Sequence, residues 1–124
     1  MIKIVVTHSS DITWKEEFYN SLRKLIEDNK CEIIFPQEEG KRIIITKEII
    51  KNYDLVIAEV SFPSTGQGIE LGWADIYGKS ILCLYKEGRN YSGALKYITD
   101  KFIEYKDSED IFYKLAEFIK TGNK

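Results

Sequence analysis

Short apolar runs alternate along the chain with longer segments in which apolar side chains recur every three or four residues. The runs predict strands at residues 2–6, 31–35, 54–60, 80–85 and 102–105. The longer segments predict helices at residues 13–29, 46–52, 69–77, 92–99 and 108–119. Strand and helix therefore alternate along the chain.

The predicted strands are continuous apolar runs, which indicates strands that are buried on both faces. A parallel sheet with helices on both sides satisfies this pattern. We therefore predict an α/β fold with a three-layer, doubly wound, flavodoxin/Rossmann-like sheet of five parallel strands. No internal repeat or linker divides the sequence, so residues 1–124 are expected to form a single domain.

In a doubly wound sheet the ligand site lies beyond the carboxyl ends of the strands, where the strand order reverses. The loops after the first, third and fourth predicted strands end at this edge, at residues 7–11, 61–68 and 86–92. We expect the functional residues on these loops.

The composition excludes several kinds of chemistry. The 124 residues include 18 Lys and Arg against 20 Asp and Glu, a net charge of −2, which argues against binding a nucleic-acid polymer through a basic surface. The single histidine, His8, and the cysteines Cys31 and Cys83 are too scattered for a Cys/His zinc site. Both cysteines lie in apolar stretches and are predicted to be buried. We expect no metal and no other cofactor.

The sequence begins directly with a strand pattern and shows none of the regions of a signal peptide. No apolar run approaches the ~18 residues of a membrane span. We expect a cytoplasmic protein that has no membrane partner.

The most informative segment, residues 59–72, contains Gly66 and Gly68 just before a predicted helix. Glycines and the hydroxyl residues Ser64 and Thr65 allow the backbone there to approach a polar ligand and to direct free N–H groups toward it. Glu70 is predicted in the first turn of that helix, at the mouth of the site. A Glu at such a position also suits the helix dipole without any catalytic role.

Several motifs lie between residues 54 and 87: Ala58-Glu59-Val60, Pro63-Ser64, Gly66-x-Gly68-x-Glu70-Leu71-Gly72, and the run from Gly78 to Leu84. With these motifs the segment resembles the nucleoside 2-deoxyribosyltransferase superfamily, most closely its 2'-deoxynucleoside 5'-phosphate N-hydrolase branch. Further on, Tyr91-Ser92-Gly93-Ala94-Leu95 is similar to a Ser-Ala-Met-Ile segment of that branch.

The resemblance implies an enzyme that cleaves the N-glycosidic bond of a 2'-deoxynucleoside or its 5'-monophosphate. Glu70 would be the nucleophile that attacks C1' of the deoxyribose, and water or a second base would then resolve the glycosyl-enzyme. Ser64 and Gly66 match positions that line the sugar and phosphate. Ser92 matches a residue that reaches the phosphate in the neighbouring subunit's site, which implies a homodimer.

The sequence departs from this branch at the acid/base position. In the branch an Asp pairs with the nucleophile, and the matching position, eight residues before Asp54, is Thr46. The Gly-Ser-Ile-Arg that follows the branch's first strand is here His8-Ser9-Ser10-Asp11. The branch has an aromatic hydroxyl residue before this segment, and the matching position in this chain is Val5. Asp11 in place of Arg disfavours a 5'-phosphate by like-charge repulsion and favours a free nucleoside or another anion geometry.

His8 and Asp11 are candidates for the missing acid/base groups, because an unperturbed histidine titrates near neutral pH and this loop borders the same crevice as Glu70. Ser9 and Ser10 are candidate substrate ligands on that loop. Alternatively, Ser10, Asp11 or Thr13 caps the first helix and His8 is a solvated loop residue.

Two aromatic residues, Phe62 and Tyr91, lie on the predicted site loops. They can stack on a nucleobase or cover the rim of the core.

Two other classes of protein fit the same fold. The Thr46 and Asp11 departures motivate a nucleotide-binding or sensing domain with weakened catalysis. A receiver-type signalling domain also has five such strands, but it places a phospho-accepting Asp at the carboxyl end of the third strand. Asp54 lies at the amino end of that predicted strand.

Overall fold

The computed structural model describes residues 1–29 and 31–121. The strands are, in chain order, β1 (Lys3–His8), β2 (Glu32–Ile34), β3 (Gln37–Glu38), β4 (Lys41–Arg42), β5 (Leu55–Glu59), β6 (Ser80–Lys86) and β7 (Phe102–Tyr105). The helices are α1 (Lys15–Asn29), α2 (Lys47–Lys51), α3 (Thr65–Ile76) and α4 (Ser108–Thr121), with a 3₁₀ helix at Gly93–Tyr97. No helix in these ranges has the length and apolar character needed to cross a membrane.

Five of these strands form one parallel sheet in the order β2-β1-β5-β6-β7, which confirms the predicted doubly wound fold. The chain moves outward from β1 to β2 and returns to the other side of β1 at β5. The strand order therefore reverses between β1 and β5, where a ligand crevice is expected. His8 and Glu59, the last residues of these two strands, lie side by side in the register.

Helices cover both faces of the sheet: α1 packs against α4 on one face, and α2 against α3 on the other. Successive residues of a strand point to opposite faces, and on β1 Ile4 and Val6 join the core under α1 and α4 while Val5 joins the core under α2 and α3. Burial on both faces explains the continuous apolar runs. Cys31 and Cys83 are buried as predicted, and burial raises the pKa of the Cys83 thiol to about 12.

Some elements differ from the sequence prediction. β1 continues to His8, so this residue ends a strand and does not lie in the following loop. The strands β3 and β4, which were not among the predicted strands, form an antiparallel hairpin whose turn contains Gly40 with a φ of 77°. The predicted helix at 92–99 is the shorter 3₁₀ helix.

The amino end of the sheet contains Asp54, whose carboxylate accepts a hydrogen bond from the Lys3 N–H at 2.8 Å. This end is opposite to the one where a receiver domain places its phospho-accepting Asp. The chemistry of a receiver therefore has no counterpart at Asp54.

Candidate active site

The helix that follows β5 begins earlier than the sequence suggested. Ser64 is its N-cap: the Ser64 Oγ accepts a hydrogen bond from the Gln67 N–H at 3.2 Å, and the Ser64 carbonyl accepts one from the Gly68 N–H at 3.1 Å. The prediction of a helix from residue 69 was wrong because a capped first turn accommodates the glycines. Glu70 consequently lies in the second turn of α3 and not in its first.

The side chain of Gln67 fixes α3 to the sheet. Its Nε2 donates hydrogen bonds to the Glu59 carbonyl at 2.9 Å, to the Thr7 carbonyl at 3.1 Å and to the Thr7 Oγ1 at 3.0 Å. Thr7 and Glu59 belong to β1 and β5, the two strands between which the strand order reverses. One buried amide therefore joins the start of α3 to both strands of the switch point.

Glu70 has a partly buried carboxylate. Within residues 1–29 and 31–121, it makes no hydrogen bond or ion pair. Burial raises the pKa of Glu70 to about 7, because removal from water disfavours the charged form. Near neutral pH this group is available both as an anion and as an acid, and shifted carboxyl groups of this kind are common at active sites.

Glu70 lies on the flank of α3 that meets α2. Trp73 and Tyr77 occupy this flank, and the Lys47 and Lys51 Nζ atoms of α2 lie 5.9 Å and 5.5 Å from the centres of their rings. Glu70 precedes these two aromatic residues by three and seven positions, the spacing that keeps residues on one helix face. Gly66, four positions earlier, lies on the same flank.

Thr46, at the position of the superfamily's acid/base Asp, is the N-cap of α2. Its Oγ1 accepts a hydrogen bond from the Ile49 N–H at 3.3 Å. The threonine therefore has a structural role at the start of the helix that packs beside Glu70. Its hydroxyl cannot supply a proton in the way that a carboxylic acid can.

Four predicted substrate-binding residues meet in a groove of about 440 Å³. They are Phe62, Ser64, Gly68 and Ser92. The groove lies between α3 and the 3₁₀ helix, whose Ala94 and Leu95 line its other side. Two residues correspond to about 200° of helix rotation, so Gly68 and Glu70 lie on opposite flanks of α3. The groove and the Glu70 carboxylate are thus on different sides of α3 within one chain.

His8 is buried, with 6% of its surface exposed, so the expectation of a solvated loop residue was wrong. The Ser9 carbonyl can only accept, so the His8 Nδ1–H donates to it at 2.8 Å. His8 Nε2 then accepts from the Tyr19 hydroxyl at 2.7 Å, and the hydroxyl itself accepts from the Gln37 N–H at 3.0 Å. Burial lowers the pKa of His8, which favours the neutral ring.

The rest of this loop is only partly buried. Ser9 is buried, and its Oγ accepts a hydrogen bond from the Asp11 N–H at 3.0 Å. Ser10 and Asp11 are exposed at the carboxyl end of β1. Of the predicted acid/base pair, Asp11 is therefore the one that is open to solvent.

The two candidate aromatic residues have different surroundings. Phe62 lines the groove, packs against Trp14 with ring centres 5.2 Å apart, and has the Arg89 guanidinium 4.2 Å from its ring centre. Tyr91 stacks on Phe102 with ring centres 4.5 Å apart and packs at the rim of the core.

Sequence reasoning did not single out Gln67 and Glu59 as residues that organise this edge. Glu59 is a charged residue at the end of an apolar run, a signal that marks it as unusual. The contacts of Gln67 gave no such signal, because its partner Thr7 is 60 residues away in the sequence.

The fold and the partly buried Glu70 carboxylate define a doubly wound α/β protein with a candidate active site on α3. No protein-family model matches the chain. The chain is 38% identical over 65 residues to human 5-hydroxymethyl-dUMP N-hydrolase, a segment that covers 49% of this chain and 37% of that protein. It is 32% identical over 92 residues to the putative 2'-deoxynucleoside 5'-phosphate N-hydrolase 1 of Trichoplax adhaerens, covering 67% of this chain and 64% of that protein.

Among solved structures, the CMP N-glycosidase BcmB of Clostridium botulinum superimposes with a TM-score of 0.67 and 26% identity, over 91% of this chain and 97% of that one. The sequence matches thus span 37% and 64% of the two curated relatives, so the chain covers less than two thirds of their length. The structural superposition spans 97% of the Clostridium botulinum structure. These comparisons confirm the resemblance to the nucleoside 2-deoxyribosyltransferase superfamily and its 2'-deoxynucleoside 5'-phosphate N-hydrolase branch.

Proposed function

We propose that this protein cleaves the N-glycosidic bond of a 2'-deoxynucleoside or its 5'-monophosphate, with Glu70 as the nucleophile. The observation that carries the proposal is the Glu70 carboxylate: partly buried, without a partner in the described part of the chain, and with a pKa of about 7. A carboxylate without hydrogen bonds or a counter-ion is reactive toward an electrophilic carbon, because no interaction stabilises its charge. The names of the similar proteins support this reaction class.

The reaction proceeds in two displacements. A Glu70 carboxylate oxygen forms a bond to C1' while the bond from C1' to the base nitrogen breaks, and the base leaves with the electron pair and takes up a proton. Water then attacks C1', the bond to Glu70 breaks, and the carboxylate is restored, while one proton of the water passes to the group that had protonated the base. If a second base attacks in place of water, the outcome is transfer.

The proton for the departing base comes from the loop after β1 in this proposal. Asp11 is exposed there, and His8 is buried with both ring nitrogens hydrogen-bonded. The accessible group is the better placed to meet a substrate, so we assign the acid/base role to Asp11 and a supporting role to His8. Asp11→Asn is then expected to lower kcat more than His8→Gln does.

The substrate's sugar and any phosphate are proposed to lie against Ser9, Ser10, Ser64 and Gly66. Free backbone N–H groups at the start of α3 favour an anion or a hydroxyl-rich ligand. The names of all three similar proteins refer to nucleoside monophosphates, whereas the exposed Asp11 opposes a phosphate nearby. Nucleosides and their monophosphates are therefore compared side by side in the test.

We also propose a homodimer in which Ser92 serves the neighbouring site. Ser92 lines the groove on the opposite flank of α3 from Glu70, so it does not reach the Glu70 of its own chain. The exposed apolar residues Ile69, Ile76 and Tyr97 lie on α3 and the 3₁₀ helix and favour a protein partner. If a second copy packs on this face, Ser92 of one chain lies near Glu70 of the other chain.

The test is a measurement of free base released from a panel of 2'-deoxynucleosides and their 5'-monophosphates, with and without a second base. We expect release by the parent, loss of at least ~100-fold in kcat in Glu70→Gln, and unchanged release in Glu104→Gln, a control on the exposed face of β7. Trapping the glycosyl-enzyme and locating the added mass on Glu70 supports the nucleophile. If no substrate in the panel releases base, or if Glu70→Gln is as active as the parent, the proposal fails.

A second candidate is a nucleotide-binding or sensing domain with weakened catalysis. The observation that favours it is Thr46, which caps α2 where the superfamily has its acid. Calorimetry distinguishes the two functions, since tight binding of a nucleotide without base release supports the sensing domain.

A further inference from the structure

Glu59, the last residue of β5, is a buried acid that the proposed chemistry does not use. Only 1% of its surface is exposed. Its carboxylate accepts a hydrogen bond from the Ser61 N–H at 2.8 Å, one from the Ser61 Oγ at 2.7 Å, and a third from the Tyr105 hydroxyl. All three groups donate toward one carboxylate at the carboxyl edge of the sheet.

The direction of these hydrogen bonds follows from their neighbours. The Trp14 Nε1–H can only donate and lies 2.7 Å from the Tyr105 hydroxyl oxygen, so the Tyr105 proton is directed to Glu59. The Lys86 N–H donates to the Ser61 Oγ at 2.9 Å, which directs the Ser61 hydroxyl proton to Glu59 in the same way. Glu59 therefore faces three donors, an arrangement that suits the ionised carboxylate. Burial raises the pKa of Glu59, and these hydrogen bonds oppose that rise.

The network holds both ends of the segment that leads into α3. At its start Ser61 is bound to the Glu59 carboxylate, and the Ser61 carbonyl accepts from the Arg89 Nε and Nη2 at 3.3 Å and 3.2 Å. At its end the Gln67 side chain donates to the Glu59 carbonyl. Both ends of the segment that leads into α3 are thus hydrogen-bonded to Glu59, Ser61 through the carboxylate and Gln67 through the carbonyl. Glu70 follows Gln67 by three positions.

We propose that Glu59 is a positioning residue for Glu70: its ionised carboxylate fixes the path of residues 60–64 and thereby the place of α3 and of the Glu70 carboxylate. This inference rests on the proposed function, because it concerns the same nucleophile. A displacement of about 1 Å at a reacting group can cost on the order of 100-fold in rate. Loss of the Glu59 network is therefore expected to affect the chemical step more than substrate binding.

The test compares Glu59→Gln, which keeps the size of the side chain but introduces donors that face the Ser61 N–H, with the control Glu104→Gln. We expect kcat to fall by ~10-fold or more in Glu59→Gln with KM changed by less than about 3-fold, and no change in the control. Tyr105→Phe removes one donor while keeping the ring and the carboxylate, and we expect a smaller loss of kcat in the same direction. If Glu59→Gln does not fold, Tyr105→Phe decides the question.

A second readout needs no turnover. Carboxyl NMR titration of Glu70 reports its surroundings directly, and we expect its midpoint to move from about 7 toward lower pH in Glu59→Gln as Glu70 gains access to water. Folded variants that keep both the parent kcat and the parent Glu70 titration overturn the positioning role. A parent that releases no base but whose Glu70 titration responds to Glu59→Gln overturns the proposed function and leaves the positioning role supported.

Discussion

At the scale of single residues, the protonation of Glu70 is governed by its burial. No described residue neutralises the carboxylate, and its pKa is about 7. Glu59 is more deeply buried, and burial raises its pKa as well, but three hydrogen-bond donors oppose that rise. Glu59 is thus held by hydrogen bonds whereas Glu70 has no described partner, which makes Glu70 the better candidate nucleophile of the two.

The Glu70 pKa predicts a pH profile. A nucleophile must be ionised, so kcat/KM is expected to rise about tenfold per pH unit below 7 and to level off above it. A general acid at this position would show the reverse, with activity falling above pH 7. Initial rates between pH 5 and 9 at low substrate concentration make the distinction.

The same pKa predicts a pH-dependent stability. Because the pKa of Glu70 is higher in the folded chain than the usual value of 4.5, the folded state binds the proton more tightly and the parent loses stability as pH rises from about 4.5 to 7. Glu70→Gln removes this loss. We expect the variant to be more stable than the parent by about 1 kcal/mol at pH 8, since partial exposure reduces the cost of the charge, and equal to it near pH 4.

Thermal unfolding at the two pH values measures the difference. A gain of 1 kcal/mol corresponds to roughly 4 °C in Tm for a chain of this size. Glu104→Gln is the control, and it should show the same Tm difference from the parent at both pH values. If the Glu70→Gln variant is no more stable at pH 8 than the parent, the inference that the ionised Glu70 carboxylate destabilises the folded state is wrong.

The positions of the candidate site residues were predictable from the sequence only where the signal was local. Ser64, Gly66 and Glu70 belong to one motif around one helix start, so their neighbourhood could be inferred from spacing. The alternative in which His8 is a solvated loop residue was wrong, because Tyr19 on the next helix hydrogen-bonds to the ring and His8 is buried. Contacts made by distant parts of the chain decide which polar side chains are buried, and the motif contains no information about them.

At the scale of elements, α2 and α3 form the pair that frames the candidate nucleophile. Thr46 begins α2, and an Asp at an N-cap stabilises a helix about as well as a Thr. We predict that Thr46→Asp keeps the stability of the parent and raises kcat by at least ~10-fold, because it adds a carboxyl group where the superfamily has its acid/base residue. Base-release assays and thermal unfolding of the same preparations test both parts.

Thr46→Asn is the matched control for that experiment. It preserves the cap but adds no acid, so kcat should remain at the parent value. Equal rates in Thr46→Asp and Thr46→Asn would show that the missing carboxyl group is not what limits the reaction.

The elements themselves were largely predictable, since β1, β5 and β6 are buried on both faces and appear as unbroken apolar runs. The start of α3 was not predicted correctly, because the glycines Gly66 and Gly68 are typical of a loop. The Ser64 cap stabilises the first turn of α3, and the Gln67 side chain fixes this turn to the sheet by donating hydrogen bonds to Thr7 and Glu59.

At the scale of the whole molecule, the proposed dimer makes a complementation experiment possible. In the proposed dimer each site combines Glu70 of one chain with Ser92 of the other. A Glu70→Gln homodimer therefore lacks the nucleophile in both sites, and a Ser92→Ala homodimer lacks the serine hydroxyl in both. In a mixed dimer one site combines an intact Glu70 with an intact Ser92 from the other chain. Equal mixing of two inactive variants is therefore expected to restore about a quarter of the parent activity, because half of the dimers are mixed and each has one complete site.

Sedimentation analysis of the same samples measures the assembly. Ile76→Asp, on the exposed face of α3, is expected to give monomers and to abolish the restored activity. Restoration that persists in monomers, or a mixture that stays inactive although mixed dimers form, would exclude sharing of Ser92.

The sheet ends on short strands: β2 has three residues and β7 has four. A short border offers few free backbone groups to a further strand, and the borders of a sheet are where folded chains recruit one another into fibrils. Growth by strand addition is accordingly disfavoured at either border. In the proposed dimer the two copies meet through α3 and the 3₁₀ helix, so neither border of the sheet takes part in the assembly.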